Sequence, residues 1–153
     1  MNGFYTVTES LKNTLKAKGF RVITLGDNFK VDIARQTIFP YAHIIPDSAT
    51  KTGNITTWTF RIIGMDLVIF SKDNIKDLAE PFYTSDNLQD VLNDIQNRLS
   101  QVVELYERGS ESLALNKLYS DVTFTPFLER YENLVAGWEI SITLTLPTGG
   151  SIC

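Results

Sequence analysis

Apolar and polar side chains alternate strictly over residues 138–146, and this pattern limits the possible folds more than any other in the sequence. Its members are Trp138, Ile140, Ile142, Leu144 and Leu146, alternating with Glu139, Ser141, Thr143 and Thr145. A period of two places successive side chains on opposite faces of a β-strand. The pattern therefore predicts a strand with one buried face and one solvated face, which is typical of an antiparallel sheet.

A second periodic segment, residues 86–107, predicts a long amphipathic helix. Asp86 is placed to cap its first turn, Gln89 follows three residues later, and Gly109 comes just after its last turn. The apolar residues recur at steps of three and four: Leu88, Val91, Leu92, Ile95, Leu99, Val102, Val103 and Tyr106. This spacing forms one stripe along the helix, which must be buried against another layer.

A shorter helix is predicted over residues 7–18, with Thr6 as its cap and Gly19 as its stop. Its apolar residues at helical spacing are Phe4, Val7, Leu11 and Leu15. Residues 20–25 and 29–33 are rich in β-branched and apolar residues and are separated by a Gly-Asp-Asn turn. They predict a β-hairpin.

The middle of the chain predicts extended structure. The stretch from Pro40 to Pro46 predicts a strand or sheet edge, because proline cannot donate to a central ladder. Residues 47–54 are polar and turn-rich and predict a mobile loop or a hairpin tip. Within residues 55–70 the apolar positions change parity at Gly64. This change predicts either a β-bulge at the glycine or a segment buried on both faces.

The remaining segments, together with those above, predict the fold class. Residues 71–85 predict an irregular linker, residues 111–119 a short helical piece, and residues 122–127 a strand that breaks at its proline. We therefore expect an α+β fold: an antiparallel β-sheet with a long helix and a short N-terminal helix packed on one face. A length of 153 residues fits a single domain, residues 1–153, with an extended arm or loop at about residues 40–56.

Charge and cysteine content exclude several function classes. Fourteen Lys and Arg against eighteen Asp and Glu give a net charge of −4, which argues against a dedicated nucleic-acid binder and against a surface that seeks anionic lipid. The single cysteine, Cys153, allows neither an intrachain disulfide nor a cysteine-based metal site, and it favours a reducing compartment. We see no secretory leader and no apolar run of roughly 20 residues, so we expect a soluble protein without membrane contact.

Few residues are suited to catalysis. The only histidine, His43, lies in a strand-like stretch and is expected to be a satisfied or exposed structural residue. The carboxylate pairs Asp73 with Asp77 and Asp90 with Asp94 lack further ligands at metal-site spacing. No phosphate-binding glycine loop, nucleophile elbow or zinc-protease motif occurs. We expect a protein that is not an enzyme and that uses no cofactor and no metal.

The order of elements and the closing strand carry a resemblance to a known family. Residues 134–140 read Leu-Val-Ala-Gly-Trp-Glu-Ile, the strand continues through Leu144 to Pro147, and Cys153 follows. With the long helix before it, this ending resembles the tail-completion and tail-terminator proteins of tailed bacteriophages, in particular those from phages of Bacteroidetes hosts. The resemblance implies a virion structural protein of the phage neck or tail, assembled in the host cytoplasm.

The resemblance also implies partners. It implies a homo-oligomeric ring of six or twelve subunits, next to portal, adaptor or tail proteins, through which DNA passes without specific binding. The net negative charge is compatible with this, because an acidic lumen repels phosphate. We expect residues 40–56 to reach a neighbouring subunit. The predicted interface residues are Ile44, Ile45 and Trp58, and the predicted lumen- or partner-facing residues are Asp47, Ser48, Lys51 and Asn54.

Two other functions stay open at this point. One is a small intracellular module that binds a protein partner through an exposed strand edge. The other is an enzyme of unrecognised type, which requires a deep pocket around His43 with perturbed acids. Plain core packing is also an alternative for Ile44, Ile45 and Trp58, and it is favoured for Trp58.

Overall fold

The computed structural model describes residues 3–26, 39–68, 88–108, 122–128 and 135–147. Its elements are α1 (Gly3–Ala17), β1 (Val22–Leu25), β2 (Tyr41–Thr52), β3 (Ile55–Leu67), α2 (Leu88–Arg108), β4 (Thr125–Leu128) and β5 (Val135–Pro147). This arrangement confirms the α+β fold class. The predictions for residues 29–33, 71–85 and 111–119 lie outside the described residues.

The strands form one five-stranded sheet in the order β1-β2-β3-β5-β4. Three of its pairings are antiparallel, but β1 pairs with β2 in parallel, Val22 opposite Tyr41 and Leu25 opposite Ile44. The parallel pair departs from the purely antiparallel expectation. A parallel neighbour needs a long connection, and residues 26–40 give the chain the length for one.

Both helices pack on one face of the sheet, as expected. The apolar stripe of α2 and the buried residues of α1 meet the inner side chains of β3 and β5. The largest fully buried side chains of this core are Leu11, Leu15, Ile44, Phe60, Ile62, Ile95, Leu99, Tyr106, Ile140 and Ile142. On the opposite face a smaller cluster joins Phe39, Tyr41, Ile63, Met65, Phe127 and Val135.

The glycine in the middle of β3 marks a close approach, and the first of its two expected explanations, a bulge, is wrong. The pairing of β3 with β5 runs without interruption from Ile55 to Leu67. A Cβ added at Gly64 would lie 3.0 Å from Cγ2 of Ile95 and 3.1 Å from Cζ of Phe20. The glycine thus lets α2 approach the sheet, and this half of β3 is buried on both faces. The bulge is in β2, between Pro46 and Ser48.

Helix α1 begins earlier than predicted. It starts at Gly3, so Thr6 lies within the helix and does not cap it. Phe4 is 41% exposed, so the buried stripe begins at Val7. The stop is confirmed: Gly19 has φ = +97°, a left-handed conformation that favours glycine.

Strand β4 continues through a proline that was expected to break it. Pro126 lies opposite Trp138 of β5, and the strand runs on to Leu128. Because β4 is the outermost strand of the described sheet on this side, Pro126 need not donate to a further ladder.

Trp138 is half-buried and donates from its indole Nε1 to the Leu92 carbonyl oxygen of α2, at 2.8 Å.

A buried hydroxyl cluster joins the two helices. The Tyr106 hydroxyl of α2 is hydrogen-bonded to Ser10 at 2.8 Å and to Thr14 at 3.4 Å, both on α1. Tyr106 is fully buried, and burial raises the pKa of its hydroxyl, which the two hydrogen bonds partly offset. The helices are therefore held in one register by polar contacts within an apolar core.

An arginine of α2 caps the end of α1. The Nη1 atom of Arg98 donates to the Lys18 carbonyl oxygen at 2.8 Å, and its Nε donates to Asp94 at 2.8 Å. The guanidinium lies where a Cβ of Gly19 would be, so the glycine makes room for it. Asp94, expected on a solvated helix face, is 45% exposed in this ion pair, and Asp90 is exposed as well.

Candidate assembly surface

The first part of the predicted arm, at about residues 40–56, lies inside the sheet, because residues 41–44 are buried between β1 and β3. Residues 47–54, expected as a mobile loop or a hairpin tip, form a hairpin tip: residues 47–52 continue strand β2 and pair with β3 as far as Thr52 opposite Ile55. The turn at residues 53–54 follows, with Gly53 at φ = +62°. All of residues 47–54 are exposed. We call residues 45–60, which form this end of the β2–β3 hairpin, the far end.

One side of strand β2 is open along the far end. Strand β1 pairs with β2 only as far as Ile44, whose carbonyl oxygen accepts from the Gly26 amide at 3.0 Å. Pro46, two residues further along the same side, has no N–H to extend the ladder. In the described part of the chain, no strand pairs with residues 45–52 on this side. We call this side of residues 45–52 the β2 outer edge.

A cleft of about 180 Å³ lies beside the β2 outer edge. It is lined by Phe4, Pro46, Asp47, Ser48, Ala49, Trp58 and Phe60. The ring of Phe4 lies 6.2 Å from that of Phe60, centroid to centroid. Trp58 and Phe60 are buried, so the exposed part of Phe4 is the main apolar side chain that this edge cleft presents to solvent.

A second groove separates α1 from β1. Its volume is about 210 Å³, and its lining includes Tyr5, Glu9, Lys12 and Leu25. Tyr5 is 69% exposed and Leu25 is 48% exposed. The groove adjoins the end of β1, so exposed apolar side chains flank the point where the β2 outer edge begins.

The predicted site residues divide into two groups. Ile44 is 1% exposed and Trp58 is 7% exposed, and both belong to the core of their own chain. Ile45 is half-buried on the opposite face, against the smaller cluster. Those expected to face a lumen or partner are all exposed: Asp47, Ser48, Lys51 and Asn54. The interface and lumen roles of all seven residues stay predictions.

Hydroxyl side chains form two rows across the face of the far end that lies away from the helices. The register places in these rows Ser48, Thr59 and Thr143, and Thr50, Thr57 and Thr145. Thr59 and Thr143 are hydrogen-bonded at 3.3 Å. The sequence shows each strand's hydroxyls but not the pairing that aligns them. Thr145, expected to be solvated, is fully buried, and its Oγ1 has no partner within the described structure.

An ion pair separates the hydroxyl rows from the smaller apolar cluster. Arg61 of β3 donates from Nε to Oε1 of Glu139 on β5 at 2.8 Å, and its Nη2 contacts the same oxygen. The Arg61 side chain is 45% exposed, so we assign the pair a modest contribution to stability.

The histidine occupies a structural position. His43 is 1% exposed; its Nδ1 lies 2.6 Å from the Thr24 hydroxyl, and its Nε2 lies 2.9 Å from the Gly26 carbonyl oxygen. The Tyr41 hydroxyl is 2.6 Å from the same Thr24 oxygen. Since a carbonyl oxygen only accepts, the proton is assigned to Nε2, and Nδ1 accepts from Thr24. Burial lowers the pKa of His43, against the opposing hydrogen bond to Gly26.

Neither cleft described above is lined by His43. Asp66, a half-buried carboxyl near the end of β3, has a perturbed pKa: burial raises it, while the hydrogen bond from the Leu67 amide lowers it. Within the described ranges, no three His, Cys, Asp or Glu residues cluster to hold a metal ion. Among the described helices, neither is long and apolar enough to cross a membrane.

No protein-family model matches the chain, and no curated protein matches it in sequence. The function is therefore inferred from the surface of the far end and from the resemblance in element order.

Proposed function

We propose that the chain is a virion structural protein, a ring-forming subunit of a phage neck or tail that lines the passage for DNA. Such a subunit acts by contact with its neighbours. Its functional residues would therefore lie on sheet edges and exposed strand ends, and its interior would serve stability.

The observation that carries the proposal is the exposed far end. Residues 47–54 are all exposed and mostly polar, and in the part of the chain that the structure describes no strand pairs with residues 47–52 on the outer side of β2. An open edge of this length promotes association unless something covers it. A neighbouring subunit in a ring, or a partner ring, would cover it.

The charge of the chain supports passage of DNA without retention. Its net charge is −4. An acidic lumen repels the phosphate backbone, whereas a basic one binds it in a salt-dependent manner. A ring whose lumen is strongly basic would overturn this part of the proposal.

The test is the native mass across a concentration series, followed by electron microscopy of any large species. One chain has a mass of 17.3 kDa, so a ring of six has a mass of about 104 kDa and a ring of twelve about 208 kDa. A closed ring of either size supports the proposal. A chain that stays monomeric alone, and that also fails to bind purified phage tails and portal-bearing heads, would overturn it.

Interface variants should be chosen from exposed positions. The double substitution Ile44→Asp and Ile45→Asp would place a charge in the subunit's own core at Ile44, so loss of assembly would not identify an interface. Asp47→Ala and Asn54→Ala change exposed side chains alone. Reduced ring formation with an unchanged melting temperature would identify the far end as an interface.

The β2 outer edge also favours a second function, a module that binds another protein by strand addition. The two proposals differ in what the purified chain does alone. A module stays small and captures a specific partner, and substitutions at the β2 outer edge abolish that capture. A ring subunit forms a closed oligomer or attaches to a phage particle.

A further inference from the structure

The β2 outer edge has a sequence that is complementary to itself. Residues 47–51 read Asp-Ser-Ala-Thr-Lys. When two copies of this strand run antiparallel with Ala49 opposite Ala49, Asp47 of each copy lies opposite Lys51 of the other. Ser48 then lies opposite Thr50. We propose that a second copy of this chain pairs with this edge about a two-fold axis at Ala49.

The register places the matching side chains on matching faces. Ala49 lies opposite Trp58, and Lys51 lies opposite Thr56, so both belong to the side of the sheet that carries the helices. Asp47, at the β-bulge between Pro46 and Ser48, lines the edge cleft that lies on this side, as Ser48 also does. A two-fold axis perpendicular to the sheet keeps each face on its own side. The two Asp47–Lys51 pairs therefore form on the helix side.

The opposite side supplies hydroxyl pairs. Ser48 and Thr50 lie in register with Thr59 and Thr57 in the hydroxyl rows, and both are exposed. Across the axis the rows of one copy continue into those of the other. Cross-strand hydroxyl pairs and opposite charges are both favourable in antiparallel sheets. At the axis the two Ala49 side chains lie opposite each other, and their small size avoids a steric clash.

The edge cleft lies beside the same axis. Its exposed apolar side chain, Phe4, is 41% exposed and packs against Phe60. Two copies paired at Ala49 bring their two edge clefts to the same side of one continuous sheet, where burial of Phe4 adds apolar area to the contact. The paired edge is therefore stabilised by backbone hydrogen bonds between the two strands, by two Asp47–Lys51 ion pairs and by burial of the two Phe4 side chains.

This pairing is independent of ring closure. A two-fold contact joins two copies and then ends, whereas a ring needs a head-to-tail contact repeated six or twelve times. It can join two free subunits or two rings. The two proposals can therefore fail separately: the ring is tested by mass, and the pairing by cross-links at defined positions.

Charge reversal tests the two ion pairs. Lys51→Glu places a carboxylate opposite Asp47 twice per dimer, so we expect the dimer dissociation constant to rise about tenfold at low salt. Asp47→Lys should do the same. The double variant, Asp47→Lys with Lys51→Glu, restores both pairs and should restore dimerisation. Lys16→Glu, an exposed reversal on α1, is the matched control and should change nothing.

Cysteine cross-linking tests the position of the axis. In a Cys153→Ser background, Ala49→Cys faces its own copy at about 4.5–5.5 Å between Cα atoms, which permits a disulfide. Thr52→Cys is the control, because its two copies lie about 20 Å apart along the paired strands. A mixture of Ser48→Cys and Thr50→Cys chains should give the mixed dimer in preference to either homodimer.

The pairing is supported by a species of about 34.6 kDa, twice the chain mass, that cross-links at Ala49 and not at Thr52. In a ring, the same selective cross-link at Ala49 supports it. A mass of 17.3 kDa at every concentration without the Ala49 cross-link overturns it. A dimer or ring that ignores charge reversal and does not cross-link at Ala49 uses another surface, and that result also overturns the pairing.

Discussion

The two ends of strand β3 have opposite surroundings. At residues 62–65 the strand is buried on both faces, with α2 on one side and the smaller apolar cluster on the other. At residues 55–57 it is exposed or half-buried and lies between the exposed β2 residues 50–52 and residues 145–147 of β5. We call residues 62–67 and their neighbours the near end.

The contrast predicts different responses to substitution at the two ends. The near end has close backbone contacts and buried polar groups, so small changes there should alter the stability of the fold. The far end has two buried side chains, Trp58 and Phe60, so changes on its surface should leave the free energy of unfolding nearly unchanged. Substitutions at matched positions in the two ends test this division.

The largest effect is expected at a near-end glycine. A Cβ added at Gly137 would collide with the carbonyl oxygen of Gly64 on the neighbouring strand, which is backbone and cannot turn away. We expect Gly137→Ala to lower the free energy of unfolding by about 3 kcal/mol, measured by chemical denaturation. The far-end control is Gly53→Ala, where no atom lies within 4 Å. Its left-handed φ of +62° limits the cost to about 1 kcal/mol. Equal costs would contradict the division.

A smaller effect is expected where the two helices meet. Tyr106→Phe removes the hydroxyl that bonds Ser10 and Thr14 and leaves a buried Ser10 without that partner. We expect a loss of about 1–2 kcal/mol in the free energy of unfolding. Tyr5→Phe is the control, since Tyr5 is 69% exposed, and it should change stability by less than about 0.5 kcal/mol. A neutral Tyr106→Phe would show that the hydroxyl cluster does not hold the helices together.

The buried histidine predicts a dependence on pH. Burial lowers the pKa of His43 below its usual 6.5 in the folded chain, so the unfolded chain binds a proton first as the pH falls. Stability from this group is complete above pH 6.5 and is lost as the pH falls from there to the folded pKa. The slope cannot exceed about 1.4 kcal/mol per pH unit.

Urea titrations between about pH 5 and 8 measure this slope. His43→Gln removes the titrating group and should flatten the curve in this range. Asp66, whose raised pKa gives a trend of opposite sign, acts in the acid range above its usual 3.8. A slope that survives in His43→Gln would assign the pH dependence to another group.

The smallest effect on stability is expected at the far end. Lys51 and Asp47 are exposed, so the double charge swap Asp47→Lys with Lys51→Glu should leave the free energy of unfolding of the monomer within about 0.5 kcal/mol of the original. Thermal unfolding at low protein concentration measures this. A loss comparable to that of Tyr106→Phe would mean that the exposed far-end side chains also contribute to the stability of the fold.

Local patterns predicted the elements well. The stripe of α2 and the alternation of β5 are periodic over many residues, and both are buried on the side that the pattern indicates. The parallel pairing of β1 with β2 was not predictable, because it depends on the path of residues 26–40. Pro126 was misjudged because the sequence does not show that β4 is an outer strand.

The site was predicted in part. The polar composition of residues 47–54 correctly indicated exposure, but not that residues 47–52 continue the strand. Trp58 was placed at an interface, although the alternation of Trp58, Phe60 and Ile62 with polar residues was the available signal that it faces the core. Ile44 carries no such signal, because residues 41–45 do not alternate. The hydroxyl rows need the register of three strands, which no single segment reveals.

The order of strands also sets when the chain can fold during synthesis. Strand β3 is completed by β5, and the bonded pair Thr59 and Thr143 is separated by 84 residues. A ribosome adding roughly 5–20 residues per second needs about 4–17 seconds to make that interval. During this time the β2–β3 hairpin lacks its main neighbour, and nascent chains on adjacent ribosomes carry the same open edges. Attachment to the ribosome, and other proteins that cover the open strand edges, would therefore matter most during these seconds, before β5 pairs with β3.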